Sequence, residues 1–348
     1  MNPNQSIDSS NMHKSIYDFP DQMSEAVSIG KKIKLINDYS FISNIVICGM
    51  GGSAIGGDLA KSLINDSLKV PIFVSRNYSV PNWVNDKSLV ICSSYSGNTE
   101  ETLSAFSDAK SKGARIIGIS TGGELSKLLD ESNYDSVSIP PGLQPRAAVA
   151  FSFIPLLYLL NILNMLDKKV LDQINSAIEK IKSYRKIYCE KTEDNPACKL
   201  AKQIYRTIPI LYGESGSTST IALRWKGQFC ENSKMLAYHN EIPEMNHNEI
   251  VGWQENPELL KHFSILWISD DSLNPRNAMR YDSSMELINK MVSHQEVIKF
   301  DGETYTERFL HLLHFGDWLS YWCALMHQAD PTPVEKIDKL KNALSEKS

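Results

Sequence analysis

Short, continuous apolar runs alternate with helix-compatible stretches along most of the chain, and this alternation restricts the possible folds more than any other feature. Strands that are apolar throughout are typical of a parallel sheet covered on both faces by helices. In the first half we predict strands at 45–48, 70–75, 88–92, 115–120 and 137–139. The second half repeats the pattern, with predicted strands at 208–212, 263–269 and 296–300. The sequence therefore predicts an α/β protein with mostly parallel sheets flanked by helices.

The two halves begin with the same order of strand, small-residue turn and helix. The first turn is Gly49-Met-Gly-Gly-Ser53, and the second is the Gly/Ser/Thr-rich segment 213–220. The polar, lysine-rich segment between the halves is typical of a helical connector. A chain of 348 residues favours two domains of ordinary size. We therefore predict an N-terminal domain at 1–165, a connector at 166–198 and a similar C-terminal domain at 199–348.

The composition argues against several classes of partner. The formal net charge of -5 makes nucleic acid and anionic membrane surfaces poor candidates. The most apolar segment, 147–163, is interrupted by Ser152, Pro155 and Asn161, so we interpret it as a buried helix rather than a membrane span. An anionic ligand would have to be bound by backbone amides and a few well-placed cations.

The cysteines and the N-terminus indicate a cytoplasmic protein. The six cysteines are widely spread without a Cys-x-x-Cys pair, which suits a reducing compartment better than a disulfide framework. The N-terminal residues lack a basic region followed by an apolar stretch, so we expect no signal peptide.

The first small-residue turn is compatible with two interpretations. Its glycines fit the spacing of a dinucleotide-binding loop only loosely. The next predicted strand ends in Ser75-Arg-Asn77, without the acidic residue that would hold a ribose. The alternative is a tight turn that packs a helix on a sheet.

A second loop, Ser93-Ser-Tyr-Ser-Gly-Asn-Thr99, favours phosphate binding. Its hydroxyl groups precede a predicted helix whose first amides lack intrahelical partners, an arrangement that can bind one phosphate. The alternative is that Thr99 only caps the helix. Small or hydroxyl-bearing residues occupy more of this loop than a cap requires.

Several segments resemble the bifunctional phosphoglucose/phosphomannose isomerases, which are built from sugar isomerase (SIS) domains. In the first half the similar motifs are Gly51-Gly-Ser53, Ser94-Tyr-Ser-Gly-Asn-Thr99 and Pro145-Arg146. In the second half they are Arg224-Trp-Lys-Gly-Gln-Phe-Cys-Glu231-Asn-Ser-Lys234, Pro243-Glu-Met-Asn-His247-Asn-Glu249 and the ending 330–341. The resemblance covers residues 43–348 and implies two three-layer αβα SIS domains. It also implies a hexose 6-phosphate substrate and a homodimer.

The resemblance implies a role for each matching residue. The phosphate would be bound by Gly51, Gly52, Ser53, Ser94, Ser96 and Thr99. Glu231 would be the base, Arg146 would stabilise an enediolate, and His247 of the partner subunit would assist ring opening together with a C-terminal lysine. That lysine is Lys341 by pattern, although Lys339 and Lys336 lie close to it. Cys230 departs from the family pattern, in which asparagine precedes the base, so the group that orients Glu231 is open.

The chemistry of carbonyl transfer between C1 and C2 asks for the same residue types. A carboxylate can move a proton across a cis-enediolate, and an arginine can stabilise the developing oxyanion because it stays charged. Each residue also has a structural alternative. Glu231 and Lys341 could face solvent, and His247 could be a hydrogen-bonded loop histidine. Thr332-Pro-Val334 carries compact side chains, which predicts room for both glucose and mannose 6-phosphate; the alternative is that these residues pack inside and the space is governed elsewhere.

A metal site and other functions are the remaining alternatives. His311 and His314 lie one helical turn apart within an aromatic run, so we interpret them as core residues and expect neither metal nor cofactor. A regulatory SIS protein that senses a sugar phosphate would not need Glu231 or His247. An amino-sugar isomerase would normally carry an amidotransferase domain, for which this chain is too short.

Overall fold

A computed structural model of the chain describes residues 6–346. The first five and the last two residues, where the predicted terminal domains begin and end, lie outside the described part. Two fully parallel sheets contain the strands β1 (Asn44–Cys48), β2 (Ile72–Ser75), β3 (Ser88–Ser94), β4 (Arg115–Ser120), β5 (Asp135–Ser138), β6 (Ile208–Glu214), β7 (Tyr238–Ile242), β8 (Phe263–Ile268) and β9 (His294–Ile298). The strand orders are β2-β1-β3-β4-β5 and β7-β6-β8-β9. The predicted α/β fold with parallel sheets is confirmed.

Helices cover both faces of each sheet. The helices of residues 6–346 are α1 (Met12–Tyr17), α2 (Phe19–Gly30), α3 (Gly51–Ile64), α4 (Glu100–Ser111), α5 (Gly123–Glu131), α6 (Val149–Ile162), α7 (Lys169–Tyr188), α8 (Pro196–Gln203), α9 (Ser219–Glu231), α10 (Pro257–Leu260), α11 (Pro275–Ile288), α12 (Tyr305–Met326) and α13 (Glu335–Ser345).

One continuous apolar core joins the two sheets. It contains inward side chains of both sheets, such as Ile47 and Leu211, together with the central helices α6 and α12. Two smaller cores lie on the outer faces, one beneath α4 and α5 and the other beneath α11. The first and second sheets therefore share the helical layer between them.

The central helices explain the long apolar segments of the sequence. Helix α6 is buried along nearly its whole length, as predicted for 147–163, and α12 is buried from Thr306 to Leu325. A helix that is apolar on all sides belongs inside a protein or a membrane. No helix among residues 6–346 combines the length and apolar character needed to cross a bilayer.

Helices α3 and α9 pack against each other in opposite directions. The Ser62 and Thr220 hydroxyls, near the end of α3 and the start of α9, lie 2.6 Å apart. At the other end, the first residues of α3 and the last residue of α9 line a common cavity. The meeting point of these two helix ends positions the candidate site.

Candidate active site at the meeting of two helix ends

The two small-residue loops of the first half lie side by side because they follow neighbouring parallel strands. Cys48 of β1 is in register with Cys92 of β3, so both chains leave the sheet at the same edge. The Tyr95 amide in the second loop donates to Ser53 Oγ in the first, at 3.2 Å. A Cβ atom at Gly97, whose φ is +71°, would lie 1.8 Å from the Gly122 carbonyl oxygen. Only glycine fits there.

The hydroxyl groups of the second loop form a local network. The Ser94 and Thr99 hydroxyls are 2.8 Å apart, and Ser94 Oγ also accepts from the Gly97 amide at 3.1 Å. Thr99 is the N-cap residue of α4, but its side chain makes no capping hydrogen bond. Ser96 is exposed and accepts from the Asn98 amide. Helix capping therefore does not explain why residue 99 carries a hydroxyl group.

The start of α3 packs tightly against the 3₁₀ turn Pro145–Ala147. Gly51 has a φ of +49°, and a Cβ atom at Gly52 would lie 2.4 Å from the Pro145 carbonyl oxygen. This close approach requires glycine and brings Arg146 next to the first loop.

Arg146 is held by four hydrogen bonds in a buried position. Its Nε donates to Asn232 Oδ1 at 2.6 Å, and its Nη2 donates to the carbonyls of Pro331 and Thr332, both at 2.7 Å. Its Nη1 lies 3.4 Å from Glu231 Oε2. Burial lowers the pKa of Arg146 from its usual value, while the Glu231 carboxylate opposes this shift. The planar guanidinium is thus fixed beside one carboxylate.

Glu231 is the last residue of α9, and about a third of its side chain is exposed. With Arg146, Gly51 and Gly52 it lines a cavity of about 150 Å³. The structure therefore brings together the predicted base, the predicted cation and the glycine loop. The hydroxyls of Ser94, Ser96 and Thr99 do not line this cavity, although their loop is bonded to Ser53.

Asn232 is a residue that sequence reasoning missed. It is buried, and it joins Arg146 to Ser320 Oγ, to which its Nδ2 donates at 2.9 Å. We expected an asparagine before Glu231, where Cys230 stands, but the amide that orients the site follows the carboxylate instead. Its place directly after Glu231 in the same motif was the available signal.

Arg224 and Asp317 form a second buried pair that the sequence analysis did not assign. Arg224 lines the cavity, and its Nη2 donates to the Arg146 carbonyl at 2.6 Å and to Asp317 Oδ1 at 3.1 Å. Gln228 donates to the same carboxylate at 2.7 Å. Burial raises the pKa of Asp317, while the Arg224 guanidinium opposes this shift. The helical spacing of Arg224, Gln228 and Glu231 placed these polar groups on one face of α9.

The structure does not bring His247 or the candidate lysines to this cavity. His247 ends the 3₁₀ turn Glu244–His247 and is exposed. Lys336, Lys339 and Lys341 are exposed on α13. None of the four is among the residues that line the cavity.

His311 and His314 belong to the aromatic core. The His311 ring stacks on Tyr184 and Phe300, and its Nε2 is 2.6 Å from the Tyr188 hydroxyl. The Nε2 of His314 accepts from Trp318 Nε1 at 3.0 Å. Within residues 6–346, no group of three His, Cys, Asp or Glu side chains is placed to hold a metal ion.

Comparison with known proteins assigns the chain to a family. A bifunctional phosphoglucose/phosphomannose isomerase of Caldicellulosiruptor bescii is 45% identical over 337 residues, which cover 96% of this chain and 99% of the relative. This chain belongs to that family. A second bifunctional phosphoglucose/phosphomannose isomerase, from Aquifex aeolicus, is 37% identical and covers 89% of this chain and 93% of its own.

Family-model and structural matches agree with this assignment. Residues 193–344 match the bacterial phospho-glucose isomerase C-terminal SIS domain. The C-terminal domain of glucosamine-fructose-6-phosphate aminotransferase from Francisella tularensis has a TM-score of 0.65 at 19% identity, covering 92% of this chain and 97% of its own. Tagatose-6-phosphate ketose/aldose isomerase from Escherichia coli also has a TM-score of 0.65, at 13% identity, covering 93% and 95%. At these identities the two structures show the SIS fold alone. The fold expected of a bifunctional phosphoglucose/phosphomannose isomerase is therefore present.

Proposed function

We propose that this protein is an aldose–ketose isomerase that interconverts glucose 6-phosphate and mannose 6-phosphate with fructose 6-phosphate, without a metal ion or cofactor. The observation that carries the proposal is the Arg146–Glu231 pair, separated by 3.4 Å, on a cavity that begins at the glycine loop. Membership of the bifunctional isomerase family supports the same activity.

The serine loop and the glycine loop would bind the 6-phosphate. Ser94, Ser96 and Thr99 offer hydroxyls, and the starts of α3 and α4 offer backbone amides and the positive ends of two helix dipoles. Because the phosphate does not react, this binding energy would position C1 and C2 for proton transfer.

Glu231 would carry the proton between C1 and C2. Its carboxylate removes the C2 proton of the open-chain aldose, the electrons move to O1, and a cis-enediolate results. Protonation at C1 by the same carboxyl group, with transfer of the O2 proton to O1, then yields the ketose. Arg146 would stabilise the enediolate charge without reorganising, because its other donors are already fixed by Asn232, Pro331 and Thr332.

One carboxylate could serve both epimers. Glucose 6-phosphate and mannose 6-phosphate differ only at C2 and give the same enediolate. Thr332 lies beside Arg146, to which its carbonyl is bonded, so the compact segment Thr332-Pro-Val334 borders the site. Thr332 is buried and none of these three residues lines the cavity, so the room for rotation about C2–C3 rests on the sequence argument alone.

Ring opening would use His247 of a second copy and a C-terminal lysine, in a homodimer. The exposure of His247 and its absence from the cavity of its own chain support donation across an interface. Lys341 is the proposed lysine, with Lys339 and Lys336 on the same exposed helix. The six unpaired cysteines support a cytoplasmic location.

The decisive experiment follows both aldose phosphates in D₂O. Both should be converted to fructose 6-phosphate with solvent deuterium incorporated, and both rates should fall by about 10²–10⁴-fold in Glu231→Gln. The control Glu255→Gln changes an exposed carboxylate and should keep full activity. Addition of EDTA should change neither rate. Inert mannose 6-phosphate, or activity that survives Glu231→Gln, would exclude the single-base mechanism. Binding without any turnover would favour a regulatory SIS protein.

A further inference from the structure

Three residues beyond Glu231, where α9 ends, the chain has a lysine in an unusual backbone conformation. Lys234 has a φ of +58°, in the left-handed region. Helices commonly end with a residue in this conformation, and that residue is usually glycine because it has no Cβ atom. The Met235 amide closes the turn by donating to the Phe229 carbonyl at 3.1 Å. A lysine at this position costs conformational free energy that glycine would not.

The side chain of Lys234 connects the end of α9 to the segment that contains Pro331. Its Nζ donates to the Glu231 carbonyl at 2.6 Å, one of the helix-end carbonyls without an intrahelical partner. It also donates to the Pro331 carbonyl at 3.3 Å. The same Pro331 carbonyl accepts from Arg146 Nη2 at 2.7 Å. One carbonyl oxygen is therefore shared by Lys234 and the arginine that faces Glu231.

Charged groups on three segments face the Lys234 ammonium. They are Glu231 at the end of α9, Arg146 on its 3₁₀ turn, and Asp330 before Pro331. Although the residue as a whole is exposed, the pKa of Lys234 is lowered to about 8. Burial of its ammonium group is the main cause and Arg146 contributes, while Asp330 and Glu231 oppose the shift. The ammonium is held next to another cation.

We infer that Lys234 is a positioning residue. Its hydrogen bonds link the Glu231 end of α9 to the Pro331 carbonyl, which also accepts from Arg146, and so set the distance between the Glu231 carboxylate and the Arg146 guanidinium. The inference rests on the proposed isomerase function. Lys234 does not line the cavity, and its acceptors are backbone carbonyls, so it acts through Glu231 and Arg146. A residue that only terminated the helix would be served better by glycine.

The test compares Lys234→Gly, Lys234→Met and Lys234→Arg. Lys234→Gly relieves the left-handed backbone, so its thermal unfolding temperature should be equal to or above that of wild type. Its kcat should nevertheless fall by about 10-fold or more with little change in KM, as is typical when a group that orients a reacting side chain is lost. Lys234→Met should behave similarly in kcat. Lys234→Arg can donate to the same carbonyls and should retain most of the activity.

A matched control and a pH profile separate this role from a structural one. Arg206 is an exposed cation at a φ of +62° outside the site, and Arg206→Gly should leave kcat unchanged. In wild type, kcat should decline as the pH rises through about 8, because the neutral amine loses a charge-assisted hydrogen bond. This decline should move to higher pH in Lys234→Arg. A kcat of Lys234→Gly within about twofold of wild type overturns the inference, as does Lys234→Arg no better than Lys234→Met.

A binding measurement keeps this test separate from that of the proposed function. Calorimetric titration with 5-phosphoarabinonate, an enediolate mimic, needs no turnover. Its dissociation constant should rise about 10-fold in Lys234→Gly and stay unchanged in Arg206→Gly. If wild type binds the mimic but converts no sugar phosphate, the isomerase proposal fails, and this binding comparison alone decides the role of Lys234.

Discussion

At the scale of single residues, two buried histidines are held in their neutral form. Burial lowers the pKa of His311 and of His314 to about 3 in each case. In the unfolded chain both would titrate near 6.5. The unfolded chain therefore binds more protons than the folded protein between these values, and stability is lost as the pH falls below about 6.5.

We expect a loss of about 2 kcal/mol per histidine in the free energy of unfolding between neutral pH and pH 5. His311→Phe keeps the stacking on Tyr184 and Phe300. At neutral pH it should cost about 1–3 kcal/mol, because the Tyr188 hydroxyl loses its partner, but it should flatten the acid dependence. Urea unfolding at several pH values measures both effects. His262→Gln, at an exposed histidine, should keep the wild-type dependence of the free energy of unfolding on pH. If His311→Phe showed the same dependence as wild type, the buried histidines would not cause the loss of stability in acid.

Only some of the residues of the site could be predicted from the sequence. Arg146 and Glu231 were named because their motifs resemble a family, and the structure places them 3.4 Å apart. Asn232 was overlooked because an amide beside a helix-terminal carboxylate has no periodicity that marks it. Asp317 was overlooked because it is a single acid within a mostly apolar run, and its partner, Arg224, is distant in sequence. Pairings of this kind depend on tertiary packing.

At the scale of secondary structure, continuous apolar runs located eight of the nine strands of the described chain. Strand β7 was missed because it is an edge strand whose side chains are mostly partly exposed, so its sequence is polar. Helix α2, which precedes β1, was not predicted from the sequence. Its buried face, including Met23 and Val27, packs in the central core.

The serine loop carries the prediction that belongs to this scale. Replacing Ser94, Ser96 and Thr99 together by alanine removes the hydroxyl network while keeping Gly97 and the helix that follows. KM for glucose 6-phosphate should rise by about tenfold or more, because hydrogen bonds to a charged phosphate are lost. Free glucose should be a very poor substrate of wild type.

Steady-state kinetics on both sugar phosphates measures this effect. The control is Ser107→Ala with Ser111→Ala on the exposed side of α4, where both hydroxyls bond only to carbonyls of their own helix. Its KM should match that of wild type. An unchanged KM in the triple variant would remove the serine loop from the site.

At the scale of the whole molecule, the proposed homodimer predicts shared sites. A mixture of Glu231→Gln and His247→Ala, each inactive alone, should form mixed dimers with one intact site. Random exchange of equal amounts should restore about a quarter of wild-type activity. Glu231→Gln mixed with Arg146→Ala should restore none, since both residues line one cavity of the same chain. Activity should be measured after subunit exchange has been demonstrated with labelled chains, and no recovery in the first mixture would place His247 outside the partner's site.

The division into domains at 1–165, 166–198 and 199–348 stays a prediction. Composition suggested the boundaries, but composition does not reveal how much apolar surface is buried between segments. Helix α7, within the predicted connector, buries Ile174, Ile178 and Ile181 in the same core as the sheets. Its polar face dominates the sequence, so the apolar stripe is easily overlooked.

The opposite directions of α3 and α9 give the cavity an electrical polarity. The α3 end presents amides and a partial positive charge, whereas the α9 end presents carbonyls and a partial negative charge. A hexose phosphate carries its anion at one end, so it would enter with that end towards Gly51 and the aldehyde end towards Glu231. The reverse orientation would bring two anions together. We therefore expect the packing of these two helices to select which way round an asymmetric substrate lies, before any side chain contacts its hydroxyl groups.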